Sequence, residues 1–170
     1  MNRALLEQDR KLTQFLQGWV IPHPWRVRTA LLLAHSGDSI VCYLVLSLVA
    51  AFTAPGWRDF ALRLLLMMTL NAIPIVVLKY SLRRERPVSR YGGIYRRSDP
   101  HSFPSGHAAR TFLLAVMSAL LASPLLGSLL LLWALLVSLA RVGLGLHHTS
   151  DTVAGAILGS IVALAGVAFL

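Results

Sequence analysis

The sequence predicts an all-α protein: a multi-pass transmembrane helix bundle of about five spans with an N-terminal amphipathic helix at the membrane interface. Of its 170 residues, 56% are hydrophobic and only 14% are charged, whereas soluble domains carry about a quarter charged residues. Several apolar runs approach the roughly 20 residues that cross a bilayer core. A soluble bundle would lack the polar residues to cover such helices. We therefore expect one membrane-embedded domain over residues 1–170.

The first element is a surface helix over residues 3–19. Leu12, Phe15 and Trp19 recur among charged residues at helical spacing, which is typical of a helix that lies in the membrane interface. Charges at positions 7, 9, 10 and 11 interrupt any apolar core, so we expect no signal peptide. Prolines at positions 22 and 24 end the helix.

Five apolar runs follow, separated by turn-forming residues. The first is interrupted by a polar stretch at positions 35–38, and Pro124 divides the third from the fourth. The fifth carries Gly155, Gly159 and Ala163 four residues apart, a stripe of small residues that favours close helix packing. The predicted spans are Thr29–Ala54, Phe60–Leu82, Ser105–Ala122, Leu125–Leu146 and Thr152–Leu170.

An Arg-rich segment over residues 83–103 joins spans two and three, and loops of this length usually carry function. With five spans, the end of span two, the start of span three and the turn between spans four and five face the same side of the membrane. Most of the reactive polar residues lie at these three places. We therefore expect a site at that face.

The charge of the chain is strongly basic and concentrated in one segment. The net charge of +9 comes from 14 arginines and two lysines, and arginine suits multidentate binding of phosphate. A basic cluster between apolar spans indicates lipid head groups or a cytoplasmic loop and disfavours nucleic acid. The single Cys42 excludes an intrachain disulfide. Six arginines fall in one stretch, namely Arg83, Arg84, Arg86, Arg90, Arg96 and Arg97.

The first motif is Lys79 and Arg86-Pro87 at the end of span two. Their spacing of seven residues is about two helical turns, so both cations can point to one face. Taken alone, the pair is better explained by side chains that extend along the helix toward lipid head groups.

The second motif, Pro104-Ser105-Gly106-His107, stands directly before span three. A helix N-terminus presents unpaired N–H groups and a positive dipole to an anion. Gly106 would let a phosphate approach the backbone, Ser105 adds a hydroxyl donor, and His107 adds a titratable ring. Proline and serine are also ordinary helix-start residues.

The third motif brackets the turn between spans four and five with Arg141, His147 and Asp151. A spacing of four residues brings the carboxylate within reach of the imidazole. A carboxylate on one ring nitrogen would fix the tautomer and make the other nitrogen a nucleophile. The plainer alternative is that Asp151 caps span five beside a solvated His147.

Each motif has an ordinary structural explanation by itself. Together they place one lysine, two arginines, two histidines and one aspartate at one membrane face. The chain has only seven carboxylates, so we expect no compensating acidic partners for these cations. A cation-rich pocket at a membrane surface favours a phosphate ligand.

In this order and spacing, the three motifs resemble the type 2 phosphatidic acid phosphatase (PAP2) superfamily over about residues 60–160. One departure is Ala140, where the family often has serine, so one possible phosphate donor is missing. The resemblance implies a hydrolase of lipid phosphates or diphosphates that uses no metal and no cofactor. It also implies a place in the cytoplasmic membrane, with the active site at the outer face.

By the same resemblance, His147 attacks phosphorus to form a phosphohistidine, Asp151 orients it, and His107 protonates the leaving oxygen and then helps to activate water. The chain has no Asp/Glu cluster for a two-metal site, which agrees with a metal-free mechanism. The phosphate-binding residues implied are Lys79, Arg86, Ser105, Gly106 and Arg141.

Several alternatives stay open at this point. The substrate is an isoprenoid diphosphate, an isoprenoid-linked phosphate, phosphatidylglycerophosphate or phosphatidic acid. A lipid-binding or transport protein with a phosphate site and no turnover is the main rival, while vanadium haloperoxidases share the motifs but are soluble. The positive-inside tendency places the site in the cytoplasm, against the family habit. The oligomeric state and the roles of His101 and His148 are open.

Overall fold

The structure is a computed structural model that describes residues 3–91, 93 and 99–169, with side chains described from residue 6 onward. Arg96 and Arg97 of the basic stretch lie outside the described residues. Apart from an isolated antiparallel bridge between Glu85 and His101, the regular structure in these ranges is helical, which confirms the all-α prediction. The main helices are α1 (Arg3–Val20), α2 (Pro24–Ser36), α3 (Ser39–Phe52), α4 (Pro55–Leu82), α5 (Gly106–Leu121), α6 (Pro124–Gly143) and α7 (Thr149–Phe169).

The multi-pass prediction is confirmed, although the count of spans differs. Among the described residues, α4, α6 and α7 are long and apolar enough to cross a membrane, and the bent pair α2–α3 would make a fourth span. Helix α5 has 16 residues and is therefore about 24 Å long, short of a hydrocarbon core of about 30 Å. The count by this criterion is three or four rather than about five.

The predicted first span is two helices, not one. Helices α2 and α3 meet at an angle of 54°, and the break falls at Gly37 and Asp38. The polar stretch at 35–38 breaks the span because its side chains bond to each other and to α5. Asp38 Oδ2 lies 3.0 Å from His35 Nδ1, and the Gly37 carbonyl accepts a hydrogen bond from Arg110 of α5.

Helix α5 lies at the centre of the bundle, packed against α4, α6 and α7. The small-residue stripe predicted on α7 makes the closest of these contacts possible. A Cβ atom at Gly159 would lie 1.9 Å from the carbonyl oxygen of Ala109, and one at Gly155 would lie 2.4 Å from that of Ser105. Close packing therefore fixes α7 against the N-terminal half of α5.

Helix α1 has the two faces expected of an interfacial helix. Leu12, Phe15 and Trp19 are exposed, whereas Thr13 and Val20 are buried. Its inner face contacts α6 and α7, and the hydroxyl oxygens of Thr13 and Thr149 lie 3.3 Å apart. Because Thr149 begins α7, α1 lies across the same end of the bundle as the turn between α6 and α7.

Candidate active site

The three motif-bearing segments meet at one end of the bundle, as the predicted topology requires. The Ser105 N–H, at the start of α5, donates to the carbonyl oxygen of Asp151 at 2.9 Å. Arg84, just after α4, donates through Nη1 to Asp151 Oδ1 at 2.7 Å. Arg86 Nη1 lies 3.2 Å from His147 Nε2. The end of α4, the start of α5 and the turn before α7 thus form one site.

His147 lies in the turn between α6 and α7, with 1% of its surface exposed. Its Nδ1 atom is 2.8 Å from the carbonyl oxygen of Ser102. A carbonyl oxygen can only accept, so Nδ1 carries the proton and Nε2 keeps its lone pair. The Nε2 atom faces the Arg86 guanidinium.

The electrostatic surroundings keep His147 neutral. Burial lowers its pKa well below the usual value, and the nearby charges of Arg141, Arg86 and Lys79 lower it further. A neutral imidazole is the nucleophilic form of histidine. The nearby cations therefore favour the neutral form of the ring.

Asp151 is close to His147, but it is not the nearest acceptor of the Nδ1 proton. Its Oδ2 atom is 3.7 Å from Nδ1 and accepts a hydrogen bond from the His148 N–H at 2.8 Å. Its Oδ1 atom accepts from Arg84. Sequence spacing predicted the proximity of Asp151 correctly, while the carbonyl group of Ser102 makes the hydrogen bond.

A second aspartate joins α1 to this network. Asp9 Oδ2 accepts from Arg84 Nη2 at 2.7 Å, and Asp9 also accepts from the N–H and hydroxyl groups of Ser150. Burial alone would raise the pKa of Asp9, but the hydrogen bonds from Ser150 and Arg84 outweigh it and hold that pKa below the usual value. Arg84 thus bridges Asp9 of the surface helix and Asp151 of the site.

Lys79 and Arg86 do converge, and both contact one carboxylate oxygen. Lys79 Nζ donates to Asp99 Oδ2, and Arg86 Nη2 donates to the same atom at 2.8 Å. Asp99 therefore bridges the two cations through one carboxylate oxygen. The expectation that these residues lack acidic partners is wrong, since Asp99 contacts Lys79 and Arg86 and Asp38 contacts His107.

The other proposed phosphate ligands lie at the start of α5 and in the last turn of α6. Ser105 is buried and caps α5, with its hydroxyl oxygen accepting from the Ala108 N–H at 3.4 Å. A Cβ atom at Gly106 would meet only Ile75, at 3.8 Å, so packing does not require glycine there. Arg141 lies in the last turn of α6 with 1% of its surface exposed.

His107 faces the site from the first turn of α5 and pairs with an aspartate that sequence analysis did not assign to the site. Its Nε2 atom is 2.6 Å from Asp38 Oδ1. His107 lines a cavity of about 460 Å³ that also contains Asp38, Lys79 and Asp99. The cavity extends between α3 and α4, where Ile40 and other apolar side chains form its wall.

Three residues of the segment between α4 and α5 make contacts within the protein. The His101 carbonyl oxygen accepts from Lys79 Nζ at 3.1 Å, and its ring packs edge-on against Tyr80. Phe103 lines a second cavity of about 580 Å³ beside α1. The Arg90 guanidinium lies over the ring of Tyr91.

Three residues near the site were not predicted from the sequence, and the sequence marks them to different degrees. Asp38 was visible as a carboxylate in the polar stretch that interrupts the first predicted span, and an ionisable residue within a span is a signal of function. Asp99 stands shortly before the second motif, in a segment without a pattern to mark it. Ser102 acts through its backbone carbonyl, so its side-chain type carried no signal.

Comparison with known proteins identifies the family. The PAP2 superfamily profile matches residues 60–170. The probable lipid phosphate phosphatase beta of Arabidopsis thaliana is 30% identical over 146 residues, covering 69% of this chain and 68% of that protein. The decaprenylphosphoryl-5-phosphoribose phosphatase of Mycobacterium tuberculosis is 31% identical over 154 residues, covering 86% of this chain and 82% of that protein.

A solved structure has the same fold. The transmembrane PAP2-type phosphatidylglycerolphosphate phosphatase from Bacillus subtilis superposes with a TM-score of 0.81 at 22% identity, covering 99% of this chain and 87% of that one. The chain is an integral membrane protein, because it has helices long and apolar enough to cross a membrane and shares its fold with a transmembrane protein. The profile covers well over half of the sequence, and its matched region contains all three motifs. The chain therefore belongs to the PAP2 superfamily.

Proposed function

We propose that the chain hydrolyses a membrane lipid phosphate or diphosphate through a phosphohistidine on His147, without a metal ion. One observation carries the mechanism: His147 is buried and neutral, and its Nε2 lone pair faces Arg86 among further cations. Family membership and the names of the relatives support the reaction class. The geometry supports the assignment of the nucleophile.

The reaction proceeds in two steps. In the first, the Nε2 lone pair of His147 attacks phosphorus, the bond from phosphorus to the lipid oxygen breaks, and that oxygen takes a proton from His107. In the second, water attacks the phosphohistidine and gives a proton to His107. Inorganic phosphate leaves, and both histidines return to their starting state.

Fixed cations supply the electrostatic stabilisation. Phosphoryl transfer spreads negative charge over three equatorial oxygens, so catalysis depends mainly on positioning and charge. Arg141, Arg86 and Lys79 each lie close enough to His147 to lower its pKa. They would bind these oxygens together with Ser105 and the N–H of Gly106, in the role that metal ions have elsewhere.

The cavity between α3 and α4 supports a lipid as the substrate. Lys79, Asp99 and His107 form its polar end. A phosphate at that end would place its hydrocarbon chain against the apolar wall, and parts of this wall face outward, since Ile40 is 81% exposed and Val76 is 50% exposed. The apolar wall consists of Ile40, Ala72, Ile75 and Val76.

Four lipid classes are candidate substrates: isoprenoid diphosphates, isoprenoid-linked phosphates, phosphatidylglycerophosphate and phosphatidic acid. The relatives named above act on lipids of more than one of these classes. The test is phosphate release by the purified protein from each lipid, with and without EDTA. We expect release from at least one lipid and no effect of EDTA. Binding of the lipids without release would favour the rival lipid-binding or transport function, and loss of activity restored by a divalent metal would refute the metal-free mechanism.

We also propose that the protein lies in the cytoplasmic membrane with its site at the outer face. The family habit supports this orientation, while the basic α1 at the site end favours the opposite one. Gly18 on α1 is exposed and has nothing within 4 Å of its Cβ position, so it can carry a reporter. In intact cells, a membrane-impermeant thiol reagent should label G18C, with Cys42 buried and silent. Labelling only after cell lysis would place the site in the cytoplasm.

A further inference from the structure

Asp38 has an unusual position for a carboxylate. It lies at the break between α2 and α3, in the polar stretch at positions 35–38 that interrupts the first predicted span. It is the N-cap residue of α3, yet its side chain makes no capping hydrogen bond. Its two carboxylate oxygens are directed at histidines instead: Oδ1 lies 2.6 Å from His107 Nε2 and Oδ2 lies 3.0 Å from His35 Nδ1.

The segment that carries Asp38 is held firmly against α5. Arg110, one turn after His107, donates to the carbonyl oxygen of Gly37 at 2.6 Å and also to the hydroxyl group of Ser39. A Cβ atom at Gly37 would lie 3.0 Å from a methyl group of Val137. The break in the first span thus brings one carboxylate to the start of α5 and fixes it there.

We propose that Asp38 is a positioning residue that makes His107 the acid and base of the reaction. An ionised carboxylate can only accept, so the Nε2 atom of His107 carries a proton and Nδ1 is the atom that exchanges protons with the substrate. Asp38 holds the ring in that tautomer and stabilises the imidazolium that donates to the leaving oxygen. This inference rests on the proposed function and adds a second His–Asp pair, separate from His147 and Asp151.

The structural alternative is that Asp38 only terminates α2 and starts α3. A capping aspartate bonds to backbone N–H groups of its own helix, and that bond is not made here. The two explanations predict different kinetics. A structural defect slows the reaction of every substrate alike. Loss of a general acid slows most the reactions whose leaving group must be protonated as it departs.

The test compares D38A, H107N and the double variant D38A/H107N with the wild type. For each protein, kcat/KM is measured with an alkyl lipid phosphate and with p-nitrophenyl phosphate, whose phenolate leaves without protonation. The control is D59N, which changes an exposed carboxylate in the first turns of α4. Thermal unfolding in detergent shows whether each variant is folded.

We expect D38A and H107N to lower kcat/KM for the lipid by roughly 100-fold or more and for the aryl phosphate by far less. The double variant should be no slower than H107N, because Asp38 acts through His107, and D59N should match the wild type. Equal losses on both substrates for D38A, additive losses in the double variant, or no loss at all would overturn the role of Asp38. If H107N itself loses equally on both substrates, the acid role of His107 in the proposed function fails as well.

Discussion

The Nδ1 atom of His147 lies 2.8 Å from the carbonyl oxygen of Ser102. Ser102 is itself fixed, because its N–H donates to the carbonyl oxygen of Arg84 and its hydroxyl donates to that of Glu85. The backbone after α4 therefore sets the tautomer of the proposed nucleophile. In the same segment, Arg84 donates to Asp151 and Arg86 contacts His147. One short segment after α4 therefore holds both His147 and Asp151 in place.

Stability should depend on pH through His147. Burial and nearby cations lower its pKa in the folded state, whereas the unfolded chain has a value of about 6.5. As the pH falls below about 6.5, the unfolded state binds a proton that the folded state does not, so the folded state loses up to about 1.4 kcal/mol per pH unit. The midpoint of thermal unfolding in detergent should fall less steeply between pH 6.5 and 5 for H147Q than for the wild type.

The exposed His23 provides the control for this measurement. The pH slope of H147Q is compared with that of H23Q, which also removes one histidine but from the surface. Equal slopes for H147Q and the wild type would show that His147 does not have a lowered pKa in the folded protein, which would weaken its assignment as a neutral nucleophile.

The bond between α1 and the site should support activity. Asp9 accepts hydrogen bonds from Arg84 and Ser150, and Arg84 holds Asp151. D9A should cost about 1–3 kcal/mol of stability, because Arg84 loses a charged partner. It should also lower kcat several-fold with little change in KM. E7A is the control, since Glu7 pairs with Lys11 on an exposed surface and such pairs contribute little. An unchanged kcat in D9A would show that the contact between α1 and Arg84 does not support activity.

The sequence predicted the motif residues and their convergence, because cations and histidines next to apolar spans can be recognised one by one and the topology brings them to one face. It did not predict which atoms pair. The break at Gly37 and Asp38 depends on Arg110 of a helix more than 70 residues away, and no local pattern shows that contact. Likewise, α5 packs against three other helices at the centre of the bundle, and hydropathy alone does not indicate which span is central.

Asp99 should compete with phosphate for the cations. It contacts Lys79 and Arg86 through one oxygen, so a bound phosphate must displace it or share the cations with it. D99N removes the competing charge, and inorganic phosphate should then inhibit roughly tenfold more strongly, which corresponds to a charged hydrogen bond of about 1.5 kcal/mol. The measurement is the inhibition constant of inorganic phosphate, with D59N as control. Weaker inhibition in D99N would show that Asp99 supports the cation pair instead.

The packing of α7 on α5 should not tolerate a single added methyl group. A Cβ atom at Gly159 would overlap the carbonyl oxygen of Ala109 at 1.9 Å. G159A should therefore lower stability by about 1–3 kcal/mol, the usual cost of overpacking. G18A is the matched control: it has open space around its Cβ position and lies in a helix, where alanine is favoured over glycine by about 1 kcal/mol. An unfolding midpoint of G159A at or above that of the wild type would contradict the packing described here.

The central claim is that His147 carries the phosphoryl group. The most direct measurement uses H107N with ³²P-labelled p-nitrophenyl phosphate. This substrate forms the phosphohistidine without a general acid, and H107N lacks the base that activates water to hydrolyse the phosphohistidine, so the intermediate accumulates. After an alkaline quench, H107N should carry near-stoichiometric label that acid removes, and H107N/H147N should carry none, whereas H107N/H148N should still be labelled. Label that persists in H107N/H147N, or nitrophenol release by H107N without labelled protein, would contradict the phosphohistidine on His147.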